Sequence, residues 1–297
     1  MTLFLGSLQL GLMYGLLAMG IFISFRILNI PDLTAEGSFT LGVAVSATVT
    51  VAGAPYLGLA AAFLCGMAAG TVTGLLQTKV GIHPILAGIL TMSGLYTINL
   101  AVMGARSNVT LIGVDTLFQR LYAQLAPLTK DTVKLLVGGV LTLLVLLALI
   151  WFFKTHLGLC IRATGNNEAM VRSSSINASA MKIAGLAVSN GCIALSGAIV
   201  AQYQGYADIS SGIGILVVGL ASVIIGEAFF GRRSVTLGLV SAIVGSVIYR
   251  IIISLALSTN IFPTYYLKLI SAVIVAVALS LPAVKDGLRK RRIRREG

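Results

Sequence analysis

Apolar runs long enough to cross a bilayer occupy most of this chain, at roughly 3–25, 33–53, 56–77, 82–104, 133–153, 182–204, 209–230, 234–257 and 263–284. A helix needs about 20 predominantly apolar residues to span the hydrocarbon core. Water is absent there, so the backbone must satisfy its own hydrogen bonds, and only helices and closed barrels do so. The runs are continuous rather than alternating, which selects helices. Composition agrees: 57% of residues are apolar and only 10% are charged, against about 25% charged in a soluble domain. The expected fold is all-α, a polytopic transmembrane bundle of about nine spans over residues 1–284, with a basic tail at 285–297. The first run has no basic segment before it and exceeds a signal-peptide core, so it is read as a span.

The net charge is +12. The basic residues lie between apolar runs and in the tail, not on one face of a soluble fold. They read as membrane anchors, and no nucleic-acid partner is expected. With the N-terminus outside, one side of the membrane collects fifteen Lys and Arg residues, including Arg26, Lys79, Arg162, Arg172, Lys182 and the tail. The other side holds Arg106, Arg120, Lys130 and Lys134. The positive-inside rule then predicts a cytoplasmic C-terminus. A re-entrant 33–53 segment would instead move the N-terminus inside. Two connections are long, an outer one near 105–132 and an inner one near 154–181.

Pro31-Asp32-Leu33-Thr34 opens the second run, and Ala207-Asp208-Ile209-Ser210 opens the seventh. Each gives Asp, a branched apolar residue and a hydroxyl, with glycines close behind. Runs five apart start on opposite sides, the pattern of an inverted-topology repeat. Asp and Ser/Thr are also ordinary helix-start residues, so the echo alone does not decide the matter. Gly66, Gly70 and Gly74 form a ladder on one helix face, as do Gly11 and Gly15; such spacing lets helices approach closely.

Chemistry is sparse. The chain has no Walker A motif, so it holds no ATP or magnesium by itself. Cys65, Cys160 and Cys192 show no ligand or disulfide spacing. His83 and His156 stand at membrane edges, away from ligand partners. No catalytic site is expected, and no metal site. Glu36 follows Asp32 by four residues, where a carboxylate complements a helix dipole. Glu227 is expected to pair with Arg232 or Arg233. Asn99, Gln202, Tyr203 and Gln204 are polar groups in or near spans. Glu36, Asn99, Gln202 and Gln204 are the candidate pathway residues, although helix–helix hydrogen bonding accounts for the amides equally well. Arg250 and Lys268 either snorkel to the interface or form a cationic collar at the outer mouth.

The inner loop says most. Gly165-Asn166 is a stop-and-cap signal, and Asn167, Glu168, Ala169, Met170, Val171, Arg172, Ser173 and Ser174 can form two helical turns. Glu168 and Arg172 make an i,i+4 pair. A second start lies at Ile176-Asn177. A short helix here can enter a partner's groove or lie on the membrane surface, and the residues themselves leave both readings open.

Three segments, Phe25 to Gly42, Arg162 to Lys182 and Gly197 to Glu227, resemble the permease subunits of ABC importers in the branched-chain amino acid and ribose superfamily. The likeness covers nearly the whole chain. It is nearest to a branch paired with a lipoprotein-type binding protein, for which aromatic amino acids are among the suspected substrates. The resemblance implies a bacterial plasma-membrane permease that pairs with a second copy of itself. Separate ABC ATPase subunits would bind inside and an extracytoplasmic solute-binding protein outside. The loop from Asn166 to Ser175 would couple ATPase closure to alternating access. Ser175 stands where relatives tend to carry Gly, so the bend there is open to change. The rival class is a stand-alone secondary transporter or channel, which would need more intramembrane ion-coupling groups. An integral-membrane enzyme lacks a catalytic cluster.

Overall fold

The structure is a computed structural model that describes residues 2–124, 129–231 and 234–258, together with 272, 273 and 276. Helix α1 (Thr2–Phe22) runs into a π segment (Ile23–Ile27), followed by α2 (Thr34–Val51), α3 (Pro55–Thr78) and α4 (Pro84–Val102). Strand β1 (Asn108–Thr110) and α5 (Leu117–Gln124) lead to α6 (Lys130–Lys154). Two short helices, α7 (His156–Asn166) and α8 (Glu168–Ser173), precede α9 (Ala178–Gln204). Strand β2 (Tyr206–Asp208), α10 (Ile215–Phe230) and α11 (Val235–Ser258) follow. The strands pair antiparallel with Val109 opposite Ala207.

The helix boundaries follow local chemistry. Pro55 and Pro84 sit in the first turns of α3 and α4, where the missing N–H has no intrahelical role. Thr129 caps α6 by accepting from the Thr132 amide, and Asn177 caps α9 from Ala180. Gly205 closes α9 at φ 78°, in the left-handed conformation that glycine adopts most readily.

Eight of the nine expected runs are helices. The ninth, 263–284, and the basic tail lie outside the described residues. Six of the eight are long and apolar enough to cross a membrane: α1 with its π segment, α3, α4, α6, α9 and α11. The expectation of nine full spans is amended for the other two. Helix α10 has 16 residues and is therefore about 24 Å long, short of a core of about 30 Å. Helix α2 has 18 residues, many of them Thr, Ser or Gly, and is almost wholly enclosed by neighbours.

Small residues set this packing. A Cβ on Gly66 or Gly70 would strike α9 backbone at Asn190 or Leu186, and one on Gly74 would come within 2.8 Å of Ile183 Cα. The glycine ladder of α3 therefore lies directly on α9. Gly11 presses on Val247 of α11 in the same way. Hydroxyls bridge helices to carbonyls: Ser189 to Gly20 at 2.7 Å, Ser196 to Met13 at 2.9 Å and Ser246 to Gly11 at 2.6 Å. Each such bond in lipid is worth about 0.6 kcal/mol.

Burial is uneven. In α9, 83% of the most apolar stretch is inside the protein, against 22% in α6 and 28% in α4. Exposed Leu143, Leu144, Leu147 and Trp151 line α6. Such a surface is insoluble in water and matched to lipid. The molecule is thus an all-α, multi-pass membrane bundle built around α1, α2 and α9.

Its two ends differ. At one, the β1–β2 ribbon and α5 gather beside the start of α1, where Gln9 Nε2 donates to the Asp131 carbonyl at 2.8 Å. At the other lie α7, α8 and the π segment. The N-terminal end of α1 therefore lies at the same end of the bundle as the ribbon and α5.

Candidate functional site

Helix α2 does not start at a membrane surface. Residues 28–33 leave the π segment as irregular backbone, with Asn29 at φ 56°, and α2 begins inside the bundle. Asp32 is fully buried. Its Oδ1 accepts from the Thr34 amide at 2.9 Å, and its Oδ2 accepts from Asn190 Nδ2 at 2.6 Å. Ser38 donates to the Asn190 Oδ1 at 2.7 Å, and the Thr34 and Thr73 hydroxyls lie 2.7 Å apart. This network pins the start of α2 to α9 and α3.

The start of α10 repeats the local geometry. Asp208 Oδ1 accepts from the Ser210 amide at 2.7 Å and also from its hydroxyl. A glycine-rich turn follows, with Gly214 at φ 82°. The sequence echo therefore corresponds to one turn made twice.

The two starts meet. Glu36, in the first turn of α2, accepts from the Gly214 amide, the N-cap of α10, at 2.9 Å. Gly212 lies so close to the Glu36 carbonyl and the Thr40 hydroxyl that no side chain fits between them. From this point α2 runs to Gly53, whose carbonyl accepts from Arg120 of α5 at 2.8 Å. Helix α10 runs the other way, to Glu227. Discontinuous helices that start in mid-bundle from opposite sides are how inverted repeats build solute sites.

A cavity of 490 Å3 opens at the meeting point, lined by Glu36, Thr40, Met92, Ser93, Tyr96, Asn99, Ser210 and Ile213 among others. Asn99 donates to the Gly37 carbonyl at 3.2 Å. Its side-chain oxygen is buried and has no hydrogen-bond partner among the described residues. A buried acceptor left empty costs about 1–3 kcal/mol, which a donor on a bound solute would offset. Glu36 supplies negative charge at two positive helix ends. Apolar walls from Met92 and Ile213 and the Tyr96 ring complete an amphipathic recess. Tyr96 and Ile213 are more than half exposed, so the recess opens on the flank of the chain.

The other candidate pathway residues lie elsewhere. Gln202 is buried under the 105–132 loop, donating to Ser46 Oγ and the Pro55 carbonyl and accepting from the Leu117 amide, each near 3 Å. Its amide is consumed by structure. Gln204 is exposed at the end of α9. Arg250 is half-buried, its guanidinium 3.7 Å from the centre of the Tyr14 ring; that ring stacks on Phe39. Lys268 lies outside the described residues.

The inner loop forms two helices. The α7 helix runs through Gly165 to Asn166, past the stop expected there. Asn167 rather than Asn166 caps α8, accepting from the Met170 amide at 3.1 Å. Glu168 pairs with Arg172 at 2.7 Å and with Lys182 of α9 at 2.6 Å. Both cations hold its carboxyl below the usual range, Lys182 most. Val171 is buried, whereas Met170 is 56% exposed. Helix α8 is thus anchored on one side and offers an apolar tip on the other. Ser175 adopts φ 60°, so serine takes the backbone conformation that glycine would supply.

Two contacts join this loop to the helix starts. Gly165 sits against the Ile27 carbonyl and Leu28, with no room for a side chain. Glu227 pairs with Arg26 of the π segment at 2.7 Å. Arg232 and Arg233, the neighbours expected from sequence to pair with Glu227, lie outside the described residues. Long-range pairing of Glu227 with a residue 201 positions away carries no local signal.

No solved structure matches the chain. It is 39% identical over 280 residues to a tyrosine transport system permease protein of Clostridioides difficile (strain R20291), covering 94% of this chain and 91% of the relative. An uncharacterized protein of Rickettsia prowazekii (strain Madrid E) is 32% identical over 286 residues, 94% of this chain and 98% of the relative. The model of one permease family matches residues 3–279. The chain therefore belongs to the family of branched-chain amino acid transport system permease components, and is a multi-pass transport permease subunit.

Proposed function

We propose that this chain is the membrane-spanning subunit of an ATP-driven importer for an amino acid, with an aromatic amino acid as the favoured solute. The observation that carries this reading is the cavity at the joined starts of α2 and α10. Its Glu36 carboxylate and the open acceptor of Asn99 suit an ammonium group. The apolar wall with Tyr96 suits a ring. The name of the Clostridioides difficile relative points to the same solute class.

The chain is a bacterial plasma-membrane subunit with its tail in the cytoplasm, in keeping with the distribution of its basic residues. Two copies face each other across the open flank of the recess, so that a second chain completes the pathway. Partner ATPases bind ATP and magnesium and receive α8, whose exposed Met170 is the docking tip. A solute-binding protein delivers cargo on the ribbon face. When the ATPases close, α8 moves. Glu168 and Lys182 pass the movement to α9, and Gly165 passes it to Ile27 and Leu28, immediately before α2. The Arg26–Glu227 pair holds the π segment to the far end of α10, and its opening is the inward step. Access to the cavity alternates between the two ends.

Reconstituting the chain with its partner ATPases and binding protein in liposomes tests this. Uptake of radiolabelled tyrosine or phenylalanine must require ATP and must stop when the Walker lysine of the ATPase is replaced. Accumulation by this chain alone on an ion gradient would overturn it.

A further inference from the structure

A second cavity, of 350 Å3, lies on the ribbon face beneath α5 and the start of α6. It shares no lining residue with the recess at Glu36. Three rings and two cations dominate its wall: Phe118, Tyr122, Tyr203, Lys130 and Lys134.

The rings are held in place. Phe118 and Tyr203 meet edge to face, with centres 5.9 Å apart, and Tyr203 donates its hydroxyl hydrogen to Gln9 at 2.8 Å. The floor is Gln202, whose amide is already committed to three protein partners. Phe118, Tyr203 and the floor are thus pre-formed.

The cations form no ion pair. Lys130 and Lys134 are four residues apart on α6 and share a face, where like charges repel. Lys130 Nζ stands 5.6 Å from the centre of Tyr122, and Lys134 Nζ 4.9 Å from that of Tyr203. Among the described residues neither forms an ion pair. Asp131, next to Lys130 in sequence, presents its backbone carbonyl to Gln9; its carboxylate is near enough to act on Tyr203 electrostatically but makes no ion pair with either lysine. A ring face replaces only part of a lysine's hydration. Among the described residues, neither lysine has a carboxylate in direct contact.

We propose that this cavity is a second solute site, which takes a free amino acid with an aromatic side chain. The carboxylate sits on Lys130 and Lys134, and the ring packs among Phe118, Tyr122 and Tyr203. The volume falls in the range of small-molecule sites, about 300–1,000 Å3, and the mixture of apolar walls with a few convergent polar groups is typical of them. The ligand is chosen by this cavity's own chemistry, so the inference stands apart from the role assigned to Glu36. An acidic side chain of a docking protein would use the lysines but leave the rings idle, which is why the free amino acid is favoured.

Equilibrium binding of radiolabelled L-phenylalanine to the full chain in lipid nanodiscs tests the proposal. Lys130→Gln and Lys134→Gln should each weaken one site by about tenfold, the loss of one charge-assisted hydrogen bond. The double variant should lose that site, Lys130→Arg with Lys134→Arg should keep it, and Glu36→Gln should leave it unchanged. 3-Phenylpropionate, which has the carboxylate but no ammonium, should compete; phenethylamine, which has the reverse, should not. Wild-type affinity and stoichiometry in the double glutamine variant would overturn the proposal. So would equal competition by phenethylamine. If the lysine substitutions impair capture of the binding protein while leaving phenylalanine binding intact, the cavity is a protein-docking site and the proposal fails.

Discussion

The starts of α2 and α10 make the same turn, an aspartate accepting from the amide two residues on, yet they sit in opposite surroundings. Asp32 is sealed in the core and its second oxygen is bonded to Asn190 of α9. Asp208 lies on the ribbon, and its second oxygen meets only the exposed Asn108 at 3.4 Å. The difference teaches how a duplicated motif can divide its labour. One copy is a fixed reference, held by a buried network. The other is a glycine-rich turn whose aspartate carboxylate is bonded only within the turn and to an exposed side chain. Glu36 bridges the two through the Gly214 amide.

The largest effect expected is at the fixed start. Asn190→Leu strands the Asp32 oxygen and the Ser38 hydroxyl in the core; two such groups at about 1–3 kcal/mol each should cost the fold about 3 kcal/mol or more. Asn108→Leu, at the equivalent aspartate of the other start, should change stability by less than about 0.5 kcal/mol. Thermal unfolding in mild detergent measures both, and equal losses would erase the distinction. Asp208→Ala comes next. It removes the turn's acceptor and should cost about 1 kcal/mol, in the range of a lost helix cap, and it should loosen hydrogen-exchange protection over 209–217 while leaving 34–40 protected.

The start of α9 supplies a reference outside both. Ser175 is held at φ 60°, where a side chain costs roughly 1 kcal/mol. Ser175→Gly should raise stability by up to about that amount. The smallest effect is electrostatic. Lys182 and Arg172 depress the Glu168 carboxyl. A depressed carboxyl stabilises the fold at pH values above its ordinary range, and that contribution is lost as pH falls through its lowered value. Protection of the α8 amides should therefore persist at neutral pH and fade in acid below the ordinary carboxylate range. Glu168→Gln should remove that pH dependence.

Much of this was legible in the sequence. Apolar runs located the helices, since hydropathy acts locally. Glycine spacing on α3 foretold a close helix approach, but not that the partner is α9. The Asp32 and Asp208 echo was visible because Asx turns use neighbouring residues. Glu36 and Asn99 were selected as intramembrane polar groups, and the structure brings both to one cavity. The same rule selected Gln202, whose partners Ser46, Pro55 and Leu117 lie on three distant segments. An amide that fastens loops and one that faces a solute look identical until the chain is folded. The Arg26–Glu227 pair, the fit of Gly165 on Ile27 and the convergence of Lys134 with Tyr203 were unreadable for the same reason. That α2 begins inside the bundle was not read either: its run looks long enough to span, and only enclosure by neighbours explains how so many hydroxyls and glycines are tolerated.

The central claim is that solute binds where the two helix starts join. Glu36→Gln retains an acceptor for the Gly214 amide and removes only the charge. Asn99→Leu removes the open acceptor. ATP-driven uptake of labelled tyrosine or phenylalanine by the reconstituted transporter, measured beside its ATPase rate, separates binding from coupling. The account predicts at least about a tenfold loss of uptake in each variant, the effect of losing one charged or buried hydrogen bond, with folding and basal ATP hydrolysis retained. Wild-type uptake in both variants would contradict it.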